Sequence, residues 1–583
     1  MVRNDRSKQE TEIFNGDILK KEMDRRSFLQ RTGVVAGASI GLTLASSLNI
    51  LSVSAASSSS IMTSKGTKPD MVFPVISDVH IHSENNKTLE KFIATLEQLN
   101  EVAPKQDAFL VVGDLTDYGI TAEYEKFMAA YREKRQPQAV SMFAIGNHDY
   151  WNGLSVANAQ KRFLEKTGIE SIYYHKVIKG YHFIVLGTED GRTEGTFSVE
   201  QINWLSEQLK IANADDWKKP IFVFHHQPIK GTIYGSEWGF SKNRDLFYDT
   251  LKEYPQVISF SGHTHYPLDD PRIIHQKDFT SIGTSTGAYL WLDSGRIQGE
   301  VPEGADVLNQ ALVVEVYQNK VMIKRRDIHH NDWTGEPFEI SFPANKQNFK
   351  YTEGRDNKAP FFTKDAMISI DHEKTTATGL AIMFAQAKDD LLVHDYKVVA
   401  RKADNGEIAK EFLAFSEFYK DPVPNPLTLP IEGLQRNTTY EIEVHALDAY
   451  GNVSKNSLKT LGKTIDGEVK EITISLSKNV VNGAGDTVEV NVENARNPKS
   501  DWIGLYEVSE NPGDVPSIWW MYTQVKDGTC KFIYNPKDNK YPARYNEGAT
   551  YKFVYFYGSG YEAVASATFT VTAVGSKKEL LPK

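Results

Sequence analysis

Five short runs concentrate the chemistry-grade side chains: Ser77-Asp78-Val79-His80, Gly113-Asp114-Leu115-Thr116-Asp117, Gly146-Asn147-His148-Asp149, His225-His226-Gln227-Pro228 and Gly262-His263-Thr264-His265. In an Asp-x-His run, a hard carboxylate and a borderline imidazole reach one cation together. The short side chain of Asp114 can bridge two cations. Asn147 offers a neutral amide oxygen, a ligand used where a site already holds enough negative charge. The two imidazoles of a Gly-His-x-His run can face different cations from one turn, and the glycine lets the backbone approach closely. Mixed nitrogen and oxygen donors without a thiolate favour Mn, Fe, Zn or Mg over soft metals. One Asp-x-His pair occurs by chance, and a lone buried histidine is usually a hydrogen-bonded core residue. Five clusters in succession are a different matter.

Each run follows an apolar stretch that reads as a buried strand: Met71 to Ser77, Ala108 to Val112, Met142 to Ile145, Ile221 to Phe224 and Val257 to Phe260, with His182 to Leu186 as a further member of the series. Between strands, Leu89, Phe92, Ile93, Leu96 and Leu99 recur at helical spacing, as do Tyr124, Phe127, Met128 and Tyr131. Ser198 with Gln201 is a capping box opening a helix that carries Ile202 and Leu205. Strands alternating with helices predict a layered α/β domain. Ligand sites of open α/β sheets lie past the C-terminal ends of strands, where all five runs fall. Beyond residue 300, Leu312 to Tyr317 and Val321 to Arg325 predict a hairpin that completes a second sheet, closing a domain over 71–345.

The flanking segments read differently. Residues 358–465 show period-two patterning, and Leu434, Tyr440, Ile442, Val444 and Ala446 resemble the end of a fibronectin type III β-sandwich with Tyr440 as its tyrosine corner. Residues 468–573 resemble an aromatic-rich immunoglobulin-like sandwich, in which Trp519, Trp520 and Tyr522 are either a sugar-stacking platform or core aromatics. At the N-terminus, Arg25-Arg26-Ser27-Phe28-Leu29 ahead of an uncharged apolar stretch resembles a twin-arginine export signal. Val53-Ser54-Ala55 fits a cleavage site, giving a signal over 1–55 and a linker over 56–70. Passage through the twin-arginine machinery predicts an extracellular or envelope-associated protein. Among 583 residues, 66 basic against 76 acidic groups leave no nucleic-acid-binding patch evident, and one cysteine, Cys530, excludes an intramolecular disulfide or a cysteine-cluster zinc site.

Taken together, the five runs resemble those of the calcineurin-like metallophosphoesterase superfamily. The resemblance implies a four-layer αββα sandwich, followed here by two all-β sandwich domains, and two divalent or mixed-valence metal ions. Asp78, His80 and His265 would hold one; Asn147, His226 and His263 the other; Asp114 would bridge them. His226 is preferred to His225 because His226-Gln227-Pro228 keeps the family's His-x-Pro spacing. His148 would protonate the leaving group or stabilise developing charge, with Asp149 or another carboxylate orienting it. The implied reaction is in-line attack on phosphorus by a metal-bridging hydroxide.

Departures narrow the branch. Asp117 stands where purple acid phosphatases carry a ligand tyrosine, and the arginine of protein phosphatases is missing after it. Phosphodiesters are the expected substrates. Phosphomonoester scavenging is the alternative, as is an envelope-binding protein whose sandwiches carry the function through cell-wall or carbohydrate contact. Substrate-binding residues are not assigned. The loops 150–157 and 231–240, with Tyr150, Trp151, Tyr234, Trp238 and Phe240, are candidates for specificity.

Overall fold

Strand β1 (Met71–Ile76) is almost wholly buried because it is flanked on both edges: β2 (Ala108–Val112) pairs with it in parallel and β10 (Gln310–Tyr317) antiparallel. A strand covered on both faces needs no polar alternation, which is why these segments read as continuous apolar runs. The computed structural model describes residues 68–293, 301–468 and 471–572, apart from 484, 496–500, 524, 526, 527, 540, 558–560 and 562. The expected signal over 1–55 lies outside the described residues.

Strand β3 (Val140–Ala144) continues the first sheet beyond β2, while β11 (Lys320–Asp327), β12 (Asp332–Trp333) and β13 (Phe338–Ser341) extend it beyond β10. Helices α1 (Lys87–Val102), α2 (Thr121–Lys134) and α3 (Val156–Thr167) cover it through Phe92, Leu96, Tyr124, Phe127 and Phe163, packed on Phe109, Val111 and Phe143. The second sheet has the order β4 (Tyr174–Ile178), β5 (Tyr181–Val185), β6 (Ile221–His225), β7 (Val257–Ser261), β9 (Thr280–Gly283), β8 (Ile274–Gln276). Helices α4 (Val199–Asp216) and α5 (Arg244–Lys252) pack on it through Ile202, Leu205, Leu209, Phe247 and Leu251. The two sheets meet through aromatic rings: Phe73 of β1 lies 5.1 Å from Phe183 and 5.0 Å from Phe222.

One expectation is corrected. The 312–325 hairpin joins the first sheet, not the second, with Val75 opposite Leu312. Antiparallel addition beside β1 covers the edge that parallel pairing with β2 leaves open.

The chain continues into two smaller sheets, β14 (Ile368–Ile370), β15 (Gly379–Phe384) and β18 (Leu427–Glu432) against β17 (Ile408–Phe415), β16 (Val393–Lys402), β19 (Thr439–Asp448) and β20 (Leu458–Lys463). They share one core containing Ile382, Tyr396, Val398, Ile431, Tyr440 and Val444. The Tyr440 hydroxyl accepts the backbone N–H of Gln435 at 2.8 Å, tying the preceding loop to β19.

Residues 471–572 belong to a separate compact unit. Its strands form a three-stranded and a five-stranded sheet around Val490, Ile503, Tyr534, Phe553 and Phe569. Trp519 packs towards that core against Phe532, whereas Trp520 and Tyr522 join Trp502, Tyr506 and Phe556 in a different cluster. Neighbours on a strand face opposite ways, so Trp519 and Trp520 do not form one platform.

Candidate metal centre

The strand ends turn in an unusual way. Asp78, His80, Asp114, His263 and His265 all have positive φ, between 49° and 74°. For residues with a Cβ this left-handed region costs about 1–2 kcal/mol each. Strain of this kind, gathered at one end of two sheets, marks a functional site. Local bonds hold the turns: Asp78 N–H donates to Gly113 O (3.1 Å), and Val79 and His80 N–H donate to Asp114 O (2.9 and 3.1 Å). His263 N–H donates to the Asp78 carboxylate, 2.9 Å from Oδ2. Two glycines permit the close approach. A Cβ on Gly113 would sit 2.3 Å from Nδ1 of His226, and one on Gly146 would sit 2.2 Å from Oδ1 of Asp114.

These turns bring six of the seven expected ligands together, Asp78, His80, Asp114, His226, His263 and His265, and all seven are almost fully buried. Asp78, His80 and His265 offer converging ligand atoms, as do Asp114, His226 and His263. His265 Nε2 is 3.0 Å from Oδ1 of Asp78, His226 Nε2 is 3.0 Å from Oδ2 of Asp114, and the Nε2 atoms of His80 and His265 are 3.2 Å apart. The outward nitrogens explain that convergence. Nδ1 of His226 donates to Val112 O (2.8 Å), Nδ1 of His265 donates to Tyr289 O (3.0 Å), and Nδ1 of His80 lies 3.3 Å from Oδ1 of Asp117. A carbonyl can only accept, so Nδ1 carries the proton in the first two and the Nε2 lone pairs face inward. This is the outer arrangement that fixes metal-binding imidazoles.

The electrostatics favour cations. Burial alone would raise the Asp78 carboxyl, but the His265 and His226 rings bring it down to about 2. Burial likewise opposes the low value of Asp114, which His226 and His148 hold well below the ordinary range. His226 moves the other way: burial would lower it, and Asp114 and Asp78 raise it to about 9. The field that holds a proton on His226 would equally attract a metal ion, and metal binding would release that proton.

His225 faces away. Its Nδ1 donates to Gln227 O (2.6 Å), its Nε2 pairs with Ser259 Oγ (2.7 Å), and its ring packs on Phe247. Asn147, the seventh expected ligand, is buried with its amide paired to Gln227, whose Nε2 lies 3.0 Å from Asn147 Oδ1. That leaves Asn147 Nδ2 and Gln227 Oε1 buried and without partners. Amide oxygen and nitrogen exchange places on flipping. Reversing both amides would let Asn147 Nδ2 donate to Gln227 Oε1 and free Asn147 Oδ1, the only atom of that side chain able to ligate a cation, at the loss of the long Gln227 Nε2 bond to Thr193 O (3.4 Å).

His148 stands beside the carboxylates, its Nε2 4.0 Å from Oδ2 of Asp114. Its Nδ1 donates to Asp117 O (2.8 Å), with the Asp117 carboxylate 3.6 Å away, and the Trp151 ring lies against it at 3.8 Å. Burial lowers its pKa to about 4. Of the two expected options for orienting it, Asp149 or another carboxylate, Asp149 is bonded elsewhere. Its Oδ1 accepts Thr116 Oγ1 (2.7 Å), Thr116 N (3.3 Å) and Tyr124 OH (3.2 Å), and its Oδ2 accepts Gly146 N (3.0 Å). Residues 148–150 form a 3₁₀ turn, which rotates successive side chains by a third of a circle and swings Asp149 away from the centre. The carboxylate beside His148, His80 and His82 is Asp117, partly buried; its place in the Gly-Asp-x-x-Asp run was the signal for it.

The loop aromatics divide. Trp151 lies at the site, whereas Tyr150 donates its hydroxyl to Thr188 O, Phe240 packs on Phe197, Tyr234 lies tilted against Tyr266, and Trp238 abuts Trp291.

Comparisons with known proteins bear on the segment that carries this site. A sequence profile described as calcineurin-like phosphoesterase matches residues 71–267, so this segment is a calcineurin-like metallophosphoesterase domain. The chain is 28% identical over 208 residues to an Arcobacter nitrofigilis protein named as a probable glycerophosphodiester phosphodiesterase, covering 33% of this chain and 72% of that one. It is 26% identical over 208 residues to a Mycobacterium tuberculosis protein named as a cAMP/cGMP dual specificity phosphodiesterase, covering 34% and 63%. It is 25% identical over 198 residues to a Nostoc protein named as a 3',5'-cyclic-nucleotide phosphodiesterase, covering 33% and 70%.

Proposed function

We infer, for a chain that is a hydrolase acting on phosphoric ester bonds, that its substrates are phosphodiesters and that its centre takes two metal ions. The reading places the enzyme on a four-layer αββα domain followed by fibronectin type III-like and immunoglobulin-like sandwiches, carried out of the cytoplasm by the 1–55 segment. One observation carries it: the His226 and His265 imidazoles, with Nδ1 anchored outward, turn their Nε2 atoms onto two buried carboxylates, Asp114 and Asp78, that stand in left-handed turns. Asp78, His80 and His265 would hold one ion and Asn147, His226 and His263 the other, with Asp114 shared. The orphaned Asn147 amide and the converging nitrogens fit that role.

When bound, the ions would supply a clamp for phosphate oxygens and an acidified water. The protein's own residues do the rest. Asp117 O holds the proton of His148 on Nδ1, which leaves Nε2 facing the reacting group as acceptor or, once protonated, as donor to the leaving oxygen. Trp151 keeps bulk water from that ring. The diester preference is supported by the named activities of the relatives, all phosphodiesterases.

The test is turnover of bis(p-nitrophenyl) phosphate against p-nitrophenyl phosphate by metal-stripped enzyme refilled with Mn²⁺, Zn²⁺ or Fe²⁺. Metal-dependent preference for the diester is expected, with loss of at least 10³-fold in Asp114→Ala. Preference for the monoester would overturn the diester reading, and undiminished turnover in Asp114→Ala would overturn the site.

A further inference from the structure

The metal centre does not end with the α/β layers. The segment that orients His265 is seated on the first β-sandwich (β14–β20). Tyr289 provides the carbonyl that accepts His265 Nδ1 at 3.0 Å, and Trp291 N–H donates back to His265 O at 3.0 Å. The Tyr289 ring lies 4.6 Å from the His265 ring and 6.2 Å from that of His80. The residues on either side of Trp291, Leu290 and Leu292, are fully buried, yet neither belongs to the helix-covered core of either large sheet. They pack with Ala305 and Leu308 against Phe415, Phe418 and Tyr419 of the sandwich. Phe415 ends β17, and Phe418 and Tyr419 follow in the next loop.

A second tie reaches the same segment one residue further on. His394 of β16 is 3% exposed; its Nδ1 lies 2.7 Å from Oδ2 of Asp395 and its Nε2 lies 3.5 Å from Oδ2 of Asp270. Asp270 accepts Nε and Nη2 of Arg272 (2.9 and 2.6 Å), and the Arg272 guanidinium covers the Tyr234 ring at 3.8 Å. The Tyr234 hydroxyl, 3.4 Å from His394 Nε2, donates to Asp293 O and accepts Asp293 N–H. The 288–293 strip is therefore gripped by the sandwich through apolar contacts at 290 and 292 and through a polar relay at 293. Within its own domain, the lysine amine of Lys91 holds Ala288 O, and Leu290 N–H bonds to Ala305 O, a residue of the same apolar cluster.

We propose that the first β-sandwich is a positioning element of the metal centre: Phe418 and His394 hold the 288–293 strip, whose Tyr289 carbonyl sets the tautomer and direction of His265. This rests on the reading of His265 as a ligand. It assigns the sandwich a task at the active centre in place of an independent tethering role. Loss of such an outer hydrogen-bonding shell costs about 10–100-fold in metal affinity or activity.

The experiment uses the full chain with Phe418→Ser, Phe418→Leu as the conservative variant, and Leu290→Ser approaching the same contact from the other side. Mn²⁺ binding is followed by calorimetry and bound-metal analysis, alongside kcat and KM for the diester probe and the far-ultraviolet circular dichroism spectrum. The expected result is a 10–100-fold weaker affinity at one of two sites in both serine variants, a fall in kcat that excess Mn²⁺ partly restores, and recovery in Phe418→Leu. Two sites with unchanged affinity in a folded serine variant would overturn the proposal. If one serine variant fails to fold, the other together with His394→Gln decides by the same readout. A parent chain that binds no metal would instead overturn the reading of the centre, which separates the two failures.

Discussion

Replacing Asp149 separates two roles that its place beside His148 confounds. The carboxylate accepts four hydrogen bonds, from Thr116 N, Thr116 Oγ1, Tyr124 OH and Gly146 N, and it is 0% exposed. It thereby pins the loop after β2 to the loop after β3. In Asp149→Ala the two hydroxyls can turn to other acceptors, but the N–H groups of Thr116 and Gly146 are fixed by the backbone and would be left buried and unpaired. At about 1–3 kcal/mol for each unsatisfied buried donor, the loss is about 2–6 kcal/mol. Against a net stability of about 5–15 kcal/mol this is large. Asp149→Asn keeps one acceptor oxygen and should lose about half as much.

Asp117 makes the control. Its carboxylate, with 21% of the side chain exposed, lies near the His80, His82 and His148 rings. Asp117→Ala should therefore cost little stability, while releasing His80 Nδ1 and lowering turnover by about 10–100-fold. The assay is urea unfolding at pH 7.5 with saturating Mn²⁺, paired with kcat on the diester probe. The expected pattern is an unstable Asp149→Ala whose folded fraction retains turnover within tenfold, beside a stable but slow Asp117→Ala. The reverse pattern, a stable Asp149→Ala that has lost 10³-fold in kcat beside an unimpaired Asp117→Ala, would refute the reasoning.

Two further outcomes follow from buried polar atoms. If Gln227 Oε1 accepts from Asn147 Nδ2, Gln227→Glu keeps that acceptor and should bind Mn²⁺ within about threefold of the parent, whereas Gln227→Leu should bind one of two ions about 10–100-fold more weakly; equal affinities in calorimetry would show that the amide pair plays no part. Glu123 is buried with one oxygen accepting Tyr118 N–H and the other unpartnered; burial, with Asp117 adding to it, raises its pKa from 4.5 to about 7. Because the folded state holds this proton more tightly than the unfolded chain, the favourable contribution is full below pH 4.5 and is lost as pH rises through 7. Glu123→Gln should therefore match the parent near pH 4.5 and exceed it by about 1–3 kcal/mol at pH 8 in urea unfolding; a gap independent of pH would count against it.

Much of the centre was legible because ligand type and strand position are both local properties. The strands close at Ile76, Val112, Ala144, His225 and Ser261, each within one residue of where its apolar run ends, and the clusters follow at once. The choice of His226 over His225 rested on the family's His-x-Pro spacing; in the structure His225 closes β6 with its ring against Phe247, and His226 begins the turn. What escaped was rotation and distance. No propensity announces that five residues with side chains adopt positive φ, because the bonds that hold those turns are tertiary: residues 78–80 to the carbonyls of Gly113 and Asp114, and His263 N–H to the Asp78 carboxylate. The 3₁₀ turn that parts His148 from Asp149 spans three residues, too short for any periodicity. The sheet joined by the 310–327 hairpin depends on an edge of β1 more than 200 residues earlier.

The left-handed turns also explain why so large a scaffold surrounds so small a centre. Five such residues at about 1–2 kcal/mol each amount to about 5–10 kcal/mol, comparable with the whole net stability of a domain. Such a cost is tolerable only where rigid neighbours leave the backbone no cheaper course. The sheets supply that on two sides, with Gly113 and Gly146 packed so closely that any side chain would strike His226 or Asp114. On the side of His265 the rigid neighbour is the 288–293 strip, and its apolar anchors come from β17 and the loop after it. A site built on strained turns needs support from every direction. Here one of those directions is closed by residues that the sequence separates from the catalytic layers by some seventy positions.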